Sequence, residues 1–382
     1  MRGTDYNADM GTRRAVFVYS GELDRYPYPA EHPFNTVRAK KVRETVDSMG
    51  WLSQPNTKEA APKAAERIVL KKFHTARYLH ALKEVSKGKF NAEAFSMGLG
   101  SPDCPVFKGL YEGAALAGGG TLVGAELILS GEADIVFNPS GGFHHAGPER
   151  ASGFCYINDV ALACMILAEG GPPRQKAGET SPGAGKRVLY LDVDVHHGDG
   201  VAYAFYERSD VMTISLHQNP RTLFPGTGFE NETGSGEGRG YCVNVPLPVG
   251  TYDEAYMQAF EALVPPLVGS YEPDVIVFEL GVDALAGDPL ANLCLTNNTY
   301  ADIIEYLLSL DRPILSTGGG GYNLDNTVRA WSLAWSIFAG AGQGRLRDKT
   351  AKISEAQRKT VVPAVEAIIK AVKMKIFSFH GL

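Results

Sequence analysis

Short apolar runs rich in β-branched residues alternate along this chain with longer stretches in which apolar positions recur every three or four residues. The runs open or sit within the segments IVFNPSGGFHHAGPERASGFCYIND, RVLYLDVDVHHGDG, VIVFELGVDALAGDP and RPILSTGGGGYN, and each reads as a buried strand. Helical periodicity marks 37–49, 253–268, 326–338 and 354–372, and the segment DVALACMILAEG. Strands alternating with helices predict an α/β fold, and the helical stretches show no repeat among themselves. Each of the four strands runs, at its carboxyl end, into a loop dense in glycine or polar side chains. Open α/β sheets place their ligand sites there, so the four loops point to one shared site.

The 382 residues are 44% hydrophobic and 21% charged, enough to bury a large core, and nothing along them marks a boundary between two units. A single domain over 1–382 is expected. The segment GGPPRQKAGETSPGAGK, 170–186, reads as a surface loop between a helix and a strand. Residues 350–382 are expected to pack on the domain as a C-terminal helix, with Lys359, Lys370, Lys373 and Lys375 on a solvated face. A net charge of −6 argues against direct nucleic-acid binding, because neutralising phosphates takes clustered Lys and Arg. The five cysteines form no CxxC pair and suit reduced thiols in a cytoplasmic protein. Arg13-Arg14 precedes only the short apolar AVFVY, so neither a secretory leader nor a membrane span is expected.

The segment LYLDVDVHHGDG carries the densest chemistry, with Asp192, Asp194, His196, His197 and Asp199 inside eight positions. Residues two apart in a strand share a side, which predicts that Asp192, Asp194 and His196 converge on one ion. Oxygen and imidazole donors without thiolate suit zinc or another first-row divalent ion. Asp283 follows another apolar run and offers a further carboxylate, although a lone Asp at a strand end is more often a turn or cap residue. Three protein ligands would leave a position open for water, as in catalytic sites. His144 and His145 project in different directions and read as acid–base groups, with Asp192 and Asp199 available to fix their tautomers. The glycine run before Tyr322 lacks the Lys-Ser/Thr of a phosphate loop and reads instead as a device that swings the tyrosine hydroxyl into a cavity.

In this order and at these separations, GGFHHA, SGFCYIND, YLDVDVHHGDG, SLHQNPRTLFPGTG, ELGVDALAGDP and GGGGYN resemble the zinc-dependent histone deacetylase family, most closely its bacterial acetoin-utilisation-type and deacetylase-like members. The resemblance extends from about residue 26 to about residue 340. It implies the arginase/deacetylase fold, a mainly parallel central sheet of about eight strands with helices on both faces. The implied activity is hydrolysis of the amide of N-acetyl-lysine in proteins. The implied zinc ligands are Asp194, His196 and Asp283, a set that also accepts iron(II). His145 becomes the general base and then acid, oriented by Asp199, with His144 paired to Asp192 as its electrostatic partner. Tyr322 becomes the oxyanion donor.

Phe154 and Phe224 match the aromatic walls of the family's tunnel, Gly153 permits close approach, and Asp103 matches a rim carboxylate that binds substrate backbone. Leu290 stands where polyamine-selective relatives carry a glutamate, which favours acyl-lysine. The resemblance also implies an inner potassium site at Asp192, Asp194, His196, Ser215 and Leu216 and an outer one at Phe205, Arg208, Val211 and Tyr241. Arg38 matches an arginine at the family's internal cavity, or is a solvated helix arginine. Acetylated proteins are the implied partners, acetyl-CoA synthetase among them. Deacetylation of a small N-acetylated amine and non-catalytic binding of acyl-lysine are the rival functions.

Overall fold

Eight strands form one sheet: β1 Ala15–Val18, β2 Thr57–Ala60, β3 Ile135–Asn138, β4 Val188–Asp192, β5 Val211–Gln218, β6 Cys242–Leu247, β7 Val275–Glu279 and β8 Ile314–Thr317. The structure is a computed structural model and describes residues 13–170, 185–342 and 346–382. Every strand pairing is parallel, and the order across the sheet is β2-β1-β3-β8-β7-β4-β5-β6. Helices cover both faces, as an all-parallel sheet requires, and this is why its strands read as continuous apolar runs. Leu189 and Leu191 of β4 face one core, which Trp331 and Trp335 help to fill, while Val188 and Tyr190 face the other.

From β3 the chain skips two places to β4, runs outward through β5 and β6, and returns to fill the gap with β7 and β8. The carboxyl ends of β3, β8, β7 and β4 therefore lie side by side where the chain changes direction, the crevice in which such sheets hold ligands. These are the four strands whose loops carry the candidate chemistry.

The periodic stretches appear as the helices Val37–Ser48, Asp159–Glu169, Asp253–Tyr271, Leu324–Phe338 and Glu355–Ile376. The helix Leu110–Leu129 carries no such signal, because most of its circumference is buried and it has no polar face to set a period. Most of the 170–186 stretch expected as a loop lies outside the described residues. Among the described residues, no helix is long and apolar enough to cross a membrane.

Gly119, inside the helix Leu110–Leu129, marks a close crossing, since a Cβ there would sit 1.8 Å from the Lys63 backbone carbonyl oxygen. Alanine would gain about 1 kcal/mol of helix propensity, but overpacking against a backbone atom costs about 1–3 kcal/mol, so the clash prevails. Gly269, in the helix Asp253–Tyr271, has nothing within 4 Å of that position. Thermal melts should therefore show Gly119→Ala lowering the Tm and Gly269→Ala raising it. Shifts of the same sign for both would contradict this packing.

Candidate active site

Six polar residues lie in one row across the sheet, at or near the carboxyl ends of the strands. Register pairs Asn138 with Thr317, Thr317 with Glu279, Glu279 with Asp192, Asp192 with Ser215, and Ser215 with Asn244, and all six are buried. The site loops continue from this row.

β4 ends at Asp192, so strand alternation does not extend through Asp194 and His196. Asp192 accepts hydrogen bonds from the Tyr190 hydroxyl at 2.6 Å and from His144 Nδ1 at 3.0 Å. His196 Nδ1 instead lies 3.2 Å from Asp194 Oδ1 and 3.0 Å from Asp283 Oδ2, in a fully buried cluster. Asp192 thus stands beside the convergence that alternation predicts for it, and Asp283 takes its place. The other oxygens of the pair are held by backbone, Asp283 Oδ1 by the Val195 N–H at 2.8 Å and Asp194 Oδ2 by the Gly320 N–H at 2.6 Å.

Donor atoms this close match neighbouring ligands on one ion, which lie roughly 3.4 Å apart in a tetrahedron with bonds of about 2.1 Å. The electrostatics agree. Burial opposes charge on His196, yet hydrogen bonds to Asp194 and Asp283 draw its pKa up to about 10. Burial and the Asp194 charge push Asp283 up to about 7. Against its burial, the His144 charge and hydrogen bonds from His196 hold Asp194 well below the ordinary carboxylate range, and oxygen with imidazole donors suits a divalent ion such as zinc or iron(II).

The loop after β3 is tied down by the amino end of the helix Asp159–Glu169. Asp159 accepts from the N–H groups of Gly142 and Phe143, and Asn158 donates to the carbonyls of His144 and Ala146. The two imidazoles, with centroids 4.0 Å apart, reach different carboxylates, His144 Nδ1 pairing with Asp192 and His145 Nδ1 lying 2.8 Å from Asp199 Oδ1. Burial alone would lower both. At His144 the surrounding Asp192, Asp194 and Glu279 overcome it and raise the pKa well above the ordinary value. At His145 burial and the neighbouring His144 charge outweigh Asp199 and lower it to about 4. The surroundings thus favour the charged form of one ring and the neutral form of its neighbour.

His145, His196 and Tyr322 line a cavity of about 190 Å³. Asp103, Gly153, Phe154, Phe224 and Leu290 line the same cavity. Gly153 has φ 51°, and a Cβ there would lie 2.4 Å from the His145 ring, so glycine is required on both counts. Phe154 packs on Tyr322 with centroids 5.6 Å apart, and Phe224 packs on His145 at 5.0 Å. Burial, reinforced by Asp283 and Asp194, keeps the Tyr322 phenol protonated far beyond its ordinary pKa.

Asp192 and Ser215 are register partners, and the Ser215 hydroxyl lies 2.8 Å from His217 Nδ1, with Leu216 next in β5. Of the outer set, Val211 begins β5 and Tyr241 precedes β6. The Phe205 carbonyl accepts from the Arg208 N–H at 3.0 Å, and the Tyr241 carbonyl accepts from the Thr213 N–H at 2.9 Å. His197 turns away from the site, its Nδ1 3.0 Å from the Thr227 hydroxyl.

Sequence reasoning did not single out Glu279, whose Oε1 lies 3.9 Å from His144 Nδ1 and has no hydrogen-bond partner. Its signal was a carboxylate ending an apolar run in register with Asp192. Arg38 is no solvated helix arginine. It is buried, donates from Nη1 to the Gly321 carbonyl at 2.8 Å, and lies against the rings of Phe34 and Trp331. With Phe143 it lines a second, apolar cavity of about 50 Å³.

The family model for the histone deacetylase domain matches residues 32–338. Acetoin utilization protein AcuC of Bacillus subtilis is 38% identical over 339 residues, which cover 87% of this chain and 84% of that protein. Histone deacetylase 8 of Xenopus tropicalis is 40% identical over 305 residues, covering 79% of this chain and 78% of its own. The crystal structure of an HDAC homolog from Aquifex aeolicus aligns with a TM-score of 0.82 at 28% identity, over 94% of this chain and 100% of that one. The parallel eight-stranded sheet flanked by helices, and a sequence match that spans all four site loops, establish that this chain belongs to the histone deacetylase family of enzymes.

Proposed function

We propose that the protein hydrolyses the amide bond of N-acetyl-lysine in proteins, releasing acetate and lysine, as one catalytic domain over 1–382. The observation that carries this reading is that one cavity unites a neutral histidine, a protonated tyrosine and the Asp194–His196–Asp283 cluster behind two aromatic side chains. Phe154 and Phe224 offer apolar surface to lysine methylenes. Leu290 offers no charge to a polyamine, and Asp103 offers a carboxylate to a backbone N–H of the substrate. The substrates in this reading are cytoplasmic acetylated proteins, acetyl-CoA synthetase among the candidates.

A divalent ion held by Asp194, His196 and Asp283, zinc in this reading, supplies Lewis-acid polarisation of the acyl carbonyl and lowers the pKa of a water. His145, neutral at pH 7, accepts a proton from the attacking water, and Asp199 at Nδ1 leaves Nε2 as the accepting nitrogen. Charged His144, anchored by Asp192, stabilises negative charge as it develops. The Tyr322 hydroxyl donates to the oxyanion of the tetrahedral intermediate. His145 then returns the proton to the leaving nitrogen as the C–N bond breaks. Water's hydroxyl remains on acetate and its proton leaves on the amine.

We further assign a potassium ion to Asp192, Asp194, His196, Ser215 and Leu216, supported by the Asp192–Ser215 register pair, and a second to Phe205, Arg208, Val211 and Tyr241.

Purified protein of known metal content should release acetate from an acetyl-lysine peptide and not from an acetylated polyamine. Tyr322→Phe should slow that release about 10²- to 10³-fold, the cost of losing one oxyanion donor, with metal content unchanged. Undiminished turnover in this variant would remove Tyr322 from the chemistry. Asp283→Asn should instead lower metal stoichiometry, measured by mass spectrometry of the dialysed protein, together with activity. Full metal retention would show that the ion sits elsewhere.

A further inference from the structure

The peptide group joining Gly321 to Tyr322 is held from both sides. Its carbonyl accepts from Arg38 Nη1 at 2.8 Å, and its N–H donates to Asp288 Oδ2 at 2.8 Å. Arg38 and Asp288 are both buried, at 4% and 8% exposure. Asp288 does more than hold this one group. Its Oδ2 also receives the Asn323 N–H at 3.4 Å, and its Oδ1 receives the Leu290 N–H at 2.9 Å. One carboxylate thus joins the backbones of two residues that line the same cavity, Tyr322 and Leu290. Asn326 Nδ2, in the first turn of the helix Leu324–Phe338, donates to the Ala286 carbonyl at 3.2 Å and ties that helix to the Asp288 loop.

The chemistry of this junction calls for an acid. All three of its partners are N–H donors, so both oxygens must accept, and a carboxylate accepts more strongly than a neutral amide. Asparagine would turn an NH2 group toward one set of donors and leave it unpaired. Tyr322 follows four glycines, whose backbone freedom leaves its direction unset by the chain itself, and precedes Asn323, the cap of the helix Leu324–Phe338. The phenol is a long lever. A misplacement of about 1 Å at a reacting group costs up to about 100-fold in rate.

We propose that Asp288 is a positioning residue for the hydrolysis: it aims the Tyr322 hydroxyl through the backbone and ties that aim to Leu290 in the wall of the tunnel. The inference rests on Tyr322 acting as the oxyanion donor. Substrate contacts at Leu290 and stabilisation of the oxyanion then share one anchor.

The test is a double-mutant cycle of Asp288→Asn and Tyr322→Phe, read as kcat on acetyl-lysine peptide, with metal content and Tm measured for each protein. Asp288→Asn alone should lower kcat about 10- to 100-fold with its metal retained. In the Tyr322→Phe background the same change should cost about twofold or less, since the hydroxyl it aims is gone. Asp288→Glu, which keeps two accepting oxygens, should recover part of the loss, and it serves in the same cycle if the Asn variant does not fold. Undiminished kcat in Asp288→Asn, or an equal loss with and without the Tyr322 hydroxyl, overturns the positioning role alone. No acetate release by the unmodified protein overturns the hydrolase reading itself, and the inference with it.

Discussion

The burial of acids at the carboxyl ends of the central strands is the constraint on which the site depends. Asp192, Asp194, Glu279 and Asp283 are each at most 1% exposed, and an unpaired carboxylate so placed costs several kcal/mol or gives up its charge by taking a proton. The described structure compensates in stages. Asp192 has His144 and Tyr190, Glu279 has the Thr317 hydroxyl, and Asp194 and Asp283 have backbone N–H groups on one side and His196 on the other. These partners leave Asp194, His196 and Asp283 gathered where a metal ion could be held. The topology explains why the acids can gather at all, because skipping two positions between β3 and β4 sets four strand ends, and so four loops, around one point.

The same acids separate two histidines that are neighbours in sequence. His144 faces Asp192 at 3.0 Å with Asp194 and Glu279 both at 3.9 Å, and it is held charged. His145 has only Asp199, a carboxylate that retains 19% exposure, and the positive charge of His144 beside it. A fixed cation next to a neutral base is what hydrolysis of an amide needs, one group to meet developing negative charge and another to carry a proton. Glu279, which strand register brings beside His144, is itself pushed well above the ordinary carboxylate range by burial, so Asp192 and Asp194 carry most of the asymmetry.

Much of this was legible in the sequence wherever a residue acts through its own side chain at the end of an apolar strand. His144, His145, Asp194, His196, Asp283 and Tyr322 all follow such strands, and periodicity located the strands. Other features were misplaced or left unmarked. Alternation carried past the end of β4 placed Asp192 with Asp194 and His196, but the strand stops there and the Val193 N–H goes to the Glu279 carbonyl of β7. Residues that act on backbone give little signal of their own: the sequence left Arg38 open between a cavity arginine and a solvated one and passed over Asp288, because both hold peptide groups in distant loops and no spacing encodes such contacts. The helix Leu110–Leu129 was hidden for a different reason, since a helix buried nearly all round shows no polar face.

The claim that buried acids make this a cation site is tested most directly by titrating metal-free protein with zinc in a calorimeter, in buffers of different ionisation enthalpy, and melting the product. Hydrogen bonds to the two acids favour a proton on His196, and burial with the Asp194 charge favours one on Asp283, so the account predicts one tightly bound zinc ion per chain, release of protons on binding, and a higher Tm. Failure to bind, or binding that releases no protons and leaves the Tm unchanged, would contradict it.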